Sequence, residues 1–289
     1  MDAGQRIEQA LEASLSGSQR QGCPPLLAQA MRYGVFPGGA RIRPRLTLAV
    51  AKACGDSQPA MADAAAAAIE LLHCASLVHD DLPCFDDADF RRGKPSVHKL
   101  HGEPLAVLAG DALIVLAFET LAGAAARQPH RLGALVRVVG AAVGARGGIV
   151  AGQAWESEPT IDLSRYHLAK TGALFAGATM AGAAAAGYQH EPWRALGEKL
   201  GEAFQIADDI RDVASTPEEL GKPCGQDAAH LRPNCALTLG LAGAIAHLDE
   251  LVLEAIGSIP ACPGASKLGT LIGLTAKSFL PESLQRRAA

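Results

Sequence analysis

The sequence lacks an excess of positive charge, and it lacks closely paired cysteines. Its 26 Lys and Arg residues are outnumbered by 30 Asp and Glu residues, which gives a net charge of −4. Duplex binding requires a broad cationic face, so a general nucleic-acid-binding protein is disfavoured and any anionic ligand must be met by local cations. The seven cysteines form no C-x-x-C pair, which argues against a disulfide framework and a zinc knuckle.

The sequence also lacks a domain linker and the pattern of a signal peptide. No Pro-, Gly- or Ser-rich stretch divides the chain, so we predict a single domain over residues 1–289. The first residues include Asp2, Arg6 and Glu8 where a signal peptide would be cationic and then apolar, so a cytoplasmic location is expected. Residues 172–188 carry no charge, but they are mostly Ala and Gly and barely reach spanning length. We therefore expect a buried central helix there and no stable membrane span.

Apolar residues recur at helical spacing in successive segments, with Ile7, Leu11 and Leu15 on one face of the first. This pattern predicts an all-α fold. The predicted helices cover residues 2–15, 25–34, 58–81, 104–126, 130–150, 172–188, 235–257 and 264–280.

A further helix is predicted to begin after the break at Pro37-Gly38-Gly39, and it carries Arg41, Arg43 and Arg45 near its start. Cations at a helix N-terminus oppose the helix dipole, so we expect an anion nearby. The alternative is that these arginines point into solvent.

An acidic cluster follows the helix predicted over residues 58–81. Five carboxylates occur within residues 80–89, and three cations follow within four residues. Pro83 cannot continue the helix, so Asp80 and Asp81 lie at a helix C-terminus, where the dipole disfavours negative charge. Bound cations would compensate this cost, and ligands that are all carboxylate oxygens suit Mg²⁺. A solvated acidic loop is the alternative.

A second acidic cluster, formed by Asp208, Asp209 and Asp212, lies within an apolar helical segment. Residues three and four apart share one face of a helix, so these carboxylates repel one another unless a cation lies between them. A purely structural trio in such a segment would be costly. We therefore predict that the two clusters form two walls of one metal-binding cavity.

These motifs resemble those of the trans-polyprenyl diphosphate synthases, and the resemblance runs along the whole chain. Asp80-Asp81-x4-Asp86 and Asp208-Asp209-x2-Asp212 stand where the family has its two aspartate-rich motifs. Further matches are Gly38-Gly39-Ala40-Arg41-Ile42-Arg43-Pro44, Arg91-Arg92-Gly93-Lys94-Pro95, Gly110-Asp111-Ala112, Gly152-Gln153, Lys170-Thr171-Gly172 and Leu220-Gly221-Lys222. The chain is most similar to the geranylgeranyl diphosphate synthases of bacterial carotenoid and chlorophyll pathways, which share Phe85-Asp86-Asp87 and Ala151-Gly152-Gln153-Ala154-Trp155-Glu156-Ser157-Glu158.

The resemblance implies a helical bundle around a deep central cavity and a homodimer. It also implies a prenyl transfer assisted by about three Mg²⁺ ions acting as Lewis acids. Asp80, Asp86 and Asp208 are the expected direct metal ligands. Three further carboxylates, expected to act through water or through the direct ligands, are Asp81, Asp209 and Asp212.

The resemblance also assigns substrate-binding residues. Isopentenyl diphosphate is expected on Arg43, His73 and Arg92. The allylic diphosphate is expected on Arg91, Lys170, Thr171, Gln205 and Lys222. The chain departs from the family at Ala40, where a lysine is usual, and at Glu156, where most members have aspartate.

Product length follows from helix geometry. Residues four and five positions before Asp80 lie about 6 to 7.5 Å deeper along its face, roughly one isoprene unit down the cavity. They are Ser76 and Ala75, whereas farnesyl-forming bacterial relatives typically have an aromatic residue at the latter position. We therefore expect geranylgeranyl diphosphate as the product.

Several alternatives remain open from the sequence. The same chemistry could stop at farnesyl diphosphate, or the chain could be a non-catalytic prenyl synthase subunit, although its second acidic cluster is intact. A cyclising terpene synthase would not need Arg43, His73 and Arg92 for a second diphosphate. A di-metal carboxylate bundle would use a Glu-x-x-His pair on each of two helices, whereas this chain has one, Glu70-x-x-His73, before the first cluster and none near the second.

Overall fold

The computed structural model describes residues 2–18, 22–36, 38–56, 58–126, 128–160, 162–214, 234–277 and 280. This part of the chain is almost entirely helical, which confirms the predicted all-α class. Its helices are α1 Ala3–Ser18, α2 Pro25–Val35, α3 Ile42–Ala53, α4 Pro59–Asp80, α5 Val97–His101, α6 Glu103–Ala125, α7 Pro129–Val143, α8 Ile149–Ala154, α9 Leu163–His167, α10 Ala173–Ala186, α11 Arg194–Ala214, α12 Cys235–Gly257 and α13 Ala265–Lys277.

Shorter elements join these helices. Strands β1 (Phe90–Arg91) and β2 (Lys94–Pro95) form an antiparallel hairpin in which Arg91 pairs with Lys94. A π-helical segment, Leu168–Gly172, leads directly into α10, and 3-10 turns cover Trp155–Ser157 and Glu191–Trp193. The hairpin and the π-helical segment both carry residues of the candidate site.

Proline and glycine set several of the helix boundaries. Proline, which has no N–H to leave unpaired, occupies the first turn of α2, α4 and α7. The single helix predicted over residues 130–150 is wrong, because α7 ends at Val143 and α8 begins only at Ile149. Gly147 adopts a left-handed backbone with φ of +88° between them, a conformation that a continuing helix does not contain.

Helix α10 lies at the centre of the bundle and packs against α3, α4, α7 and α11. Every residue from Leu174 to Ala186 is buried, which confirms the buried central helix expected over residues 172–188. Small residues allow the close approach: a Cβ on Gly182 would lie 2.4 Å from the carbonyl oxygen of Thr47, and one on Gly197 would lie 2.3 Å from the Cα of Ala176. Helix α10 therefore packs with its backbone close to that of α3 and α11.

Three of the described helices, α4, α6 and α12, are long and apolar enough to cross a membrane when judged by length and composition alone. For α4, 78% of the apolar window is buried inside the protein, whereas the values for α6 and α12 are 39% and 28%. Helix α4 is thus a core helix, and α6 presents an apolar outer face.

Candidate active site

The first wall of the site is the C-terminal end of α4. Asp80 is its last residue and Asp81 is the C-cap, where the sequence predicted the helix to end. The following turn folds back onto the helix, because the backbone N–H of Asp86 donates to the carbonyl oxygen of Asp80 at 2.9 Å and that of Ala88 donates to Asp81 at 3.1 Å. These bonds satisfy terminal helix carbonyls and bring the Asp86 backbone next to Asp80.

Asp81 is held by a cation from the β-hairpin. The Nε of Arg91 lies 3.0 Å from Oδ1 and 3.2 Å from Oδ2 of Asp81, and its Nη2 donates to the same carboxylate. Asp81 is only 2% exposed, so this bidentate pair neutralises a buried charge. One of the cations that follow the acidic cluster, Arg91, therefore neutralises an aspartate of that cluster.

Asp80 has a different environment. Burial raises the pKa of its carboxyl to about 6, with Asp86 and Asp81 acting in the same direction, while Lys170 and Arg91 oppose the shift. No described residue donates a hydrogen bond to this carboxylate. Its surroundings therefore favour a cation, and Lys170 is close enough to act on it electrostatically.

A glycine explains how this end of α4 is fixed against α6. A Cβ on Gly110 would lie 2.0 Å from Nε2 of His79, so only glycine leaves room for this ring. The Nε2 atom lies 3.2 Å from the carbonyl oxygen of Val107 and 3.8 Å from a carboxylate oxygen of Asp111. The Gly110-Asp111 motif thus seats the residue that precedes Asp80.

The three arginines at the start of α3 lie in different environments, with Arg41 buried, Arg43 half-buried and Arg45 exposed. Arg41, in the left-handed region with φ of 53°, lies 2.8 Å from Glu8 and 2.7 Å from Glu70. Its Nη2 also donates to the carbonyl oxygen of Val35 at 2.9 Å. The anions near this buried arginine are therefore carboxylates of the protein.

Arg43 instead lies in a cationic group, and no acid of the described residues forms an ion pair with it. Its Nη1 is 3.5 Å from Nε2 of His73, and its guanidinium lies over the ring of Phe175 at 4.6 Å. Its Nε is buried and has no hydrogen-bond partner in the part of the chain that the structure describes. Burial lowers the pKa of Arg43 to about 10, and nearby Arg92 adds to the shift.

The same group lowers the pKa of His73, first through loss of hydration and then through the charges of Arg43, Arg92 and Arg91. Gly39 allows Arg92 to approach, since a Cβ there would lie 3.0 Å from the guanidinium. The structure thus brings together the three residues expected to bind isopentenyl diphosphate. A neutral histidine among arginines, with a buried donor left over, is suited to an anionic ligand.

The second wall begins at the π-helical segment that carries Lys170 and Thr171. Glycines let two helices pack directly on its backbone: a Cβ on Gly152 of α8 would lie 2.5 Å from the nitrogen of Lys170, and one on Gly201 of α11 would lie 2.7 Å from the Cα of Gly172. The Gly152-Gln153 motif therefore has a packing role, which the sequence alone did not reveal.

Thr171 and the second acidic cluster are joined by hydrogen bonds. The hydroxyl of Thr171 donates to Oε1 of Gln205 at 3.3 Å, and Nε2 of Gln205 donates to Oδ1 of Asp209 at 3.1 Å. The other Asp209 oxygen accepts from the backbone N–H of Cys235 at 2.8 Å. Asp209 is thus held at the first residue of α12.

The remaining members of this cluster differ in exposure. The side chain of Asp208 is 42% exposed and lies 2.9 Å from Arg211, whereas Asp212 is 7% exposed. The guanidinium of Arg211 also lies 5.4 Å from the ring centre of Phe204. Asp208 is the member of the trio with most access to solvent.

The donor chemistry of the two walls fits magnesium. Within the described ranges, no three His, Cys, Asp or Glu side chains are grouped closely enough to make a metal site from protein alone. Mg²⁺ is usually held by one or two carboxylates together with substrate phosphates and water, so a complete protein cage is not required. The buried carboxylate of Asp80, whose pKa Asp86 helps to raise, suits such an ion.

The residues expected to set product length lie one turn below Asp80. Ala75 is 1% exposed and belongs to the apolar core. Ser76 is partly exposed, and its hydroxyl donates to the carbonyl oxygen of His73 at 2.9 Å. Lys222 lies outside the described residues.

Sequence reasoning missed two aromatic residues of the site. Phe175 and Phe204 form the aromatic surface under Arg43. Phe204 precedes Asp208 by four residues, so helical spacing could have placed it on that face.

Ala40 lines a cavity of about 590 Å³ between α1, α3, α11 and α13, together with Arg45 and other residues.

The comparisons with known proteins agree on one family. The model of the polyprenyl synthetase family matches residues 24–266. The chain is 56% identical to the geranylgeranyl diphosphate synthase of Rhodobacter capsulatus over 288 residues, which cover 99% of this chain and 100% of that protein. It is 55% identical over 283 residues to the enzyme of the same name from Cereibacter sphaeroides, with 98% of both chains covered.

The chain also matches solved structures of related enzymes over nearly its full length. A farnesyl/geranylfarnesyl diphosphate (FPP/GFPP) synthase from Zymomonas mobilis matches with a TM-score of 0.79 and 32% identity, over 95% of this chain and 97% of that chain. A geranyltransferase from Helicobacter pylori, complexed with magnesium and isoprenyl diphosphate, matches with a TM-score of 0.74 and 31% identity, over 93% and 95%.

Proposed function

The chain belongs to the polyprenyl synthetase family, and on that premise we propose that it condenses isopentenyl diphosphate with allylic diphosphates to make geranylgeranyl diphosphate. The observation that carries this proposal is the identity above 50%, over almost the full length of both chains, with two enzymes of that name. The allylic substrates would be the dimethylallyl, geranyl and farnesyl diphosphates, taken in turn.

Two separate anion sites support this chemistry. Isopentenyl diphosphate would bind the group formed by Arg43, His73 and Arg92, in which the guanidinium of Arg43 lies 3.5 Å from His73 and feels the charge of Arg92. The allylic diphosphate would bind between the walls, with Lys170 and the hydroxyl of Thr171 near its bridging oxygen. The other residues proposed to contact it are Arg91, Gln205 and Lys222.

Magnesium is the proposed cofactor, with about three ions per site, and it would supply Lewis-acid neutralisation of the leaving diphosphate. Asp80, Asp86 and Asp208 would be its direct ligands. Asp81 and Asp209 already accept strong hydrogen bonds from Arg91 and from the backbone of Cys235, so they would act through the direct ligands. Asp212, which is 7% exposed, would act in the same way.

The residues of the chain would then assist in three ways. Lys170 and Thr171 would stabilise negative charge as the carbon–oxygen bond breaks. The arginines would hold the double bond of isopentenyl diphosphate in line with the allylic cation. The departed diphosphate, held beside the new bond, would accept the proton that is eliminated.

The product length is proposed from Ala75, because its methyl group is much smaller than the aromatic ring that is typical of farnesyl-forming relatives at this position. Farnesyl diphosphate is the second candidate, because solved structures with TM-scores above 0.7 include a farnesyl/geranylfarnesyl diphosphate synthase. The size of the residue at this position favours the longer product.

We also propose that the protein is a cytoplasmic homodimer with no membrane span. The outer face of α6 exposes Val107, Leu108 and Val115 to 41%, 52% and 56%. A second copy of the chain would cover this face. Sedimentation of the purified protein without detergent should give twice the mass of the chain, and a monomer would contradict the proposal.

Product analysis tests the function directly. The purified chain is incubated with Mg²⁺, isopentenyl diphosphate and one allylic diphosphate at a time, and products are separated by chain length. Geranylgeranyl diphosphate is expected with each primer. Conversion of the allylic substrate without consumption of isopentenyl diphosphate would indicate a terpene cyclase, and the absence of any turnover would indicate a non-catalytic subunit.

A further inference from the structure

One carboxylate gathers three separate pieces of chain around the proposed catalytic lysine. Glu156, in the 3-10 turn after α8, accepts through Oε1 from the hydroxyl of Tyr166 at 2.7 Å and from Nζ of Lys170. Its Oε2 accepts from Nε2 of Gln153 at 2.8 Å. The Nζ of Lys170 also lies 5.4 Å from the centre of the Tyr166 ring. The ammonium group is therefore directed by a carboxylate on one side and an aromatic face on another.

The local backbone explains why this carboxylate can reach Lys170. Gly152 lets α8 pack on the backbone nitrogen of Lys170. Glu156 follows Gly152 by four residues, which is about one helical turn, so it lies above the same contact. An aspartate there would be shorter by one methylene, roughly 1.3 Å of reach. The longer side chain of this sequence therefore matches the hydrogen bond to Tyr166 as well as the one to Lys170.

The cluster also sets the charge of the lysine. Burial acts to lower the pKa of Lys170, but the hydrogen bond to Glu156 and the nearby Tyr166 outweigh it, so the pKa is raised. The side chain of Lys170 is 26% exposed and that of Glu156 is 31% exposed. The charge of Lys170 also acts on Asp80, where it opposes the rise in pKa that burial causes. The protonated lysine thus interacts electrostatically with both Glu156 and the first carboxylate wall.

We propose that Glu156 is a positioning residue for prenyl transfer, which aims the ammonium of Lys170 at the leaving diphosphate while Tyr166 and Gln153 fix the carboxylate. This inference rests on the proposed function, because it assumes that Lys170 meets the allylic diphosphate. An ammonium group has three donors, so one bond to Glu156 leaves two for the diphosphate. Misplacing the ammonium costs more in the transition state, where charge accumulates on the leaving oxygen, than in the bound substrate.

The test compares Glu156→Gln and Glu156→Asp with a matched control. Glu158→Gln removes the same charge two residues away, on an exposed residue whose side chain makes no hydrogen bond within the described part of the chain. We expect Glu156→Gln to lower kcat about ten- to a hundredfold while KM for the allylic diphosphate changes far less. Glu156→Asp should recover part of this loss, because it restores the charge. Glu158→Gln should match the unmodified chain.

A second measurement reads the lysine itself and does not depend on turnover. The full-length proteins are treated with a limiting amount of an N-hydroxysuccinimide ester, and acylation of each lysine is measured by peptide mass spectrometry. Lys170 should be acylated several-fold faster in Glu156→Gln than in the unmodified chain, with Lys199, which pairs with Glu254, as internal reference. Equal rates at Lys170, or equal loss of kcat in Glu158→Gln, would overturn the inference. An unmodified chain with no prenyl transfer would instead overturn the proposed function.

Discussion

The two acidic clusters look alike in sequence, yet the protein holds them in different ways. In the first, at the end of α4, Asp81 is neutralised by the side chain of Arg91, and Asp80 is left with its pKa raised to about 6. In the second, within α11, Asp209 is bonded to the backbone N–H of Cys235. The first cluster stores unfavourable charge that a cation would relieve, whereas the second uses part of its charge to join two helices.

Equivalent positions of two Asp-Asp motifs do not have the same role, because the surroundings of each carboxylate decide whether it can bind a ligand or stabilises the fold. Asp80 and Asp209 occupy different places within their motifs, and they illustrate the two extremes. Four predictions, each with its own measurement, test or sharpen the comparison of the two walls.

The largest effect is expected at Asp80. Asp80→Asn removes a proposed direct magnesium ligand, so kcat should fall at least about a thousandfold. Asp208→Asn should act similarly from the other wall. Initial rates of prenyl transfer at saturating Mg²⁺ measure both. Retention of more than a tenth of the activity by either variant would remove that residue from the direct ligands.

The next effect concerns the size of the two walls. Five residues before Asp80 the first wall has Ala75, whereas four residues before Asp208 the second has Phe204. Ala75→Phe makes the walls alike and should shift the main product from geranylgeranyl to farnesyl diphosphate, because the ring occupies the space of roughly one isoprene unit. Chromatography of the dephosphorylated products measures the ratio. An unchanged ratio would show that the residue at position 75 does not determine product length.

Asp209 should matter for stability more than its neighbour does. Asp209→Ala leaves the N–H of Cys235 unpaired at the start of α12, so the free energy of unfolding should fall by about 1–3 kcal/mol. The matched variant Asp208→Ala removes an exposed pair with Arg211 and should cost less than about 1 kcal/mol. Urea unfolding of both variants measures the difference. Equal losses of unfolding free energy would show that Asp209 does not stabilise the fold more than Asp208 does.

The smallest effect is the pH dependence contributed by Asp80. Its pKa is about 6 in the folded protein against 3.8 as the ordinary value, so the folded state binds its proton more tightly than the unfolded state does. Stability from this group is therefore present below pH 4 and is lost as the pH rises through 6. In metal-free protein at pH 8, Asp80→Asn should raise the free energy of unfolding by about 1–2 kcal/mol. A lower free energy of unfolding for Asp80→Asn at pH 8 would contradict the raised pKa of Asp80.

The sequence predicted the helical class, the end of the long helix at Asp81 and the buried helix over residues 172–188. These features depend on local signals, namely helical periodicity, proline and a run of small apolar residues. The break after Val143 was missed, although glycines mark it, because periodic apolar residues continue on both sides.

The partners within the site could not be predicted in the same way. The pairing of Asp81 with Arg91, of Arg41 with Glu8 and Glu70, and of Glu156 with Lys170 each join residues ten or more positions apart. Periodicity assigns a residue to a face, but it does not say which faces meet. Contacts at this range follow from how the helices pack, which glycines such as Gly152 decide through the space they leave.

The backbone contacts at Gly152 and Gly201 also bear on protein engineering. Replacing glycine by alanine in helices is a common route to heat resistance, and each compatible site contributes about 0.5–1 kcal/mol. Here the same replacement would push helices away from the lysine segment. Gly123 and Gly140, where an added methyl meets nothing within 4 Å, are the glycines to change first. A thermostabilised variant of this chain should therefore keep its inner glycines and alter the outer ones.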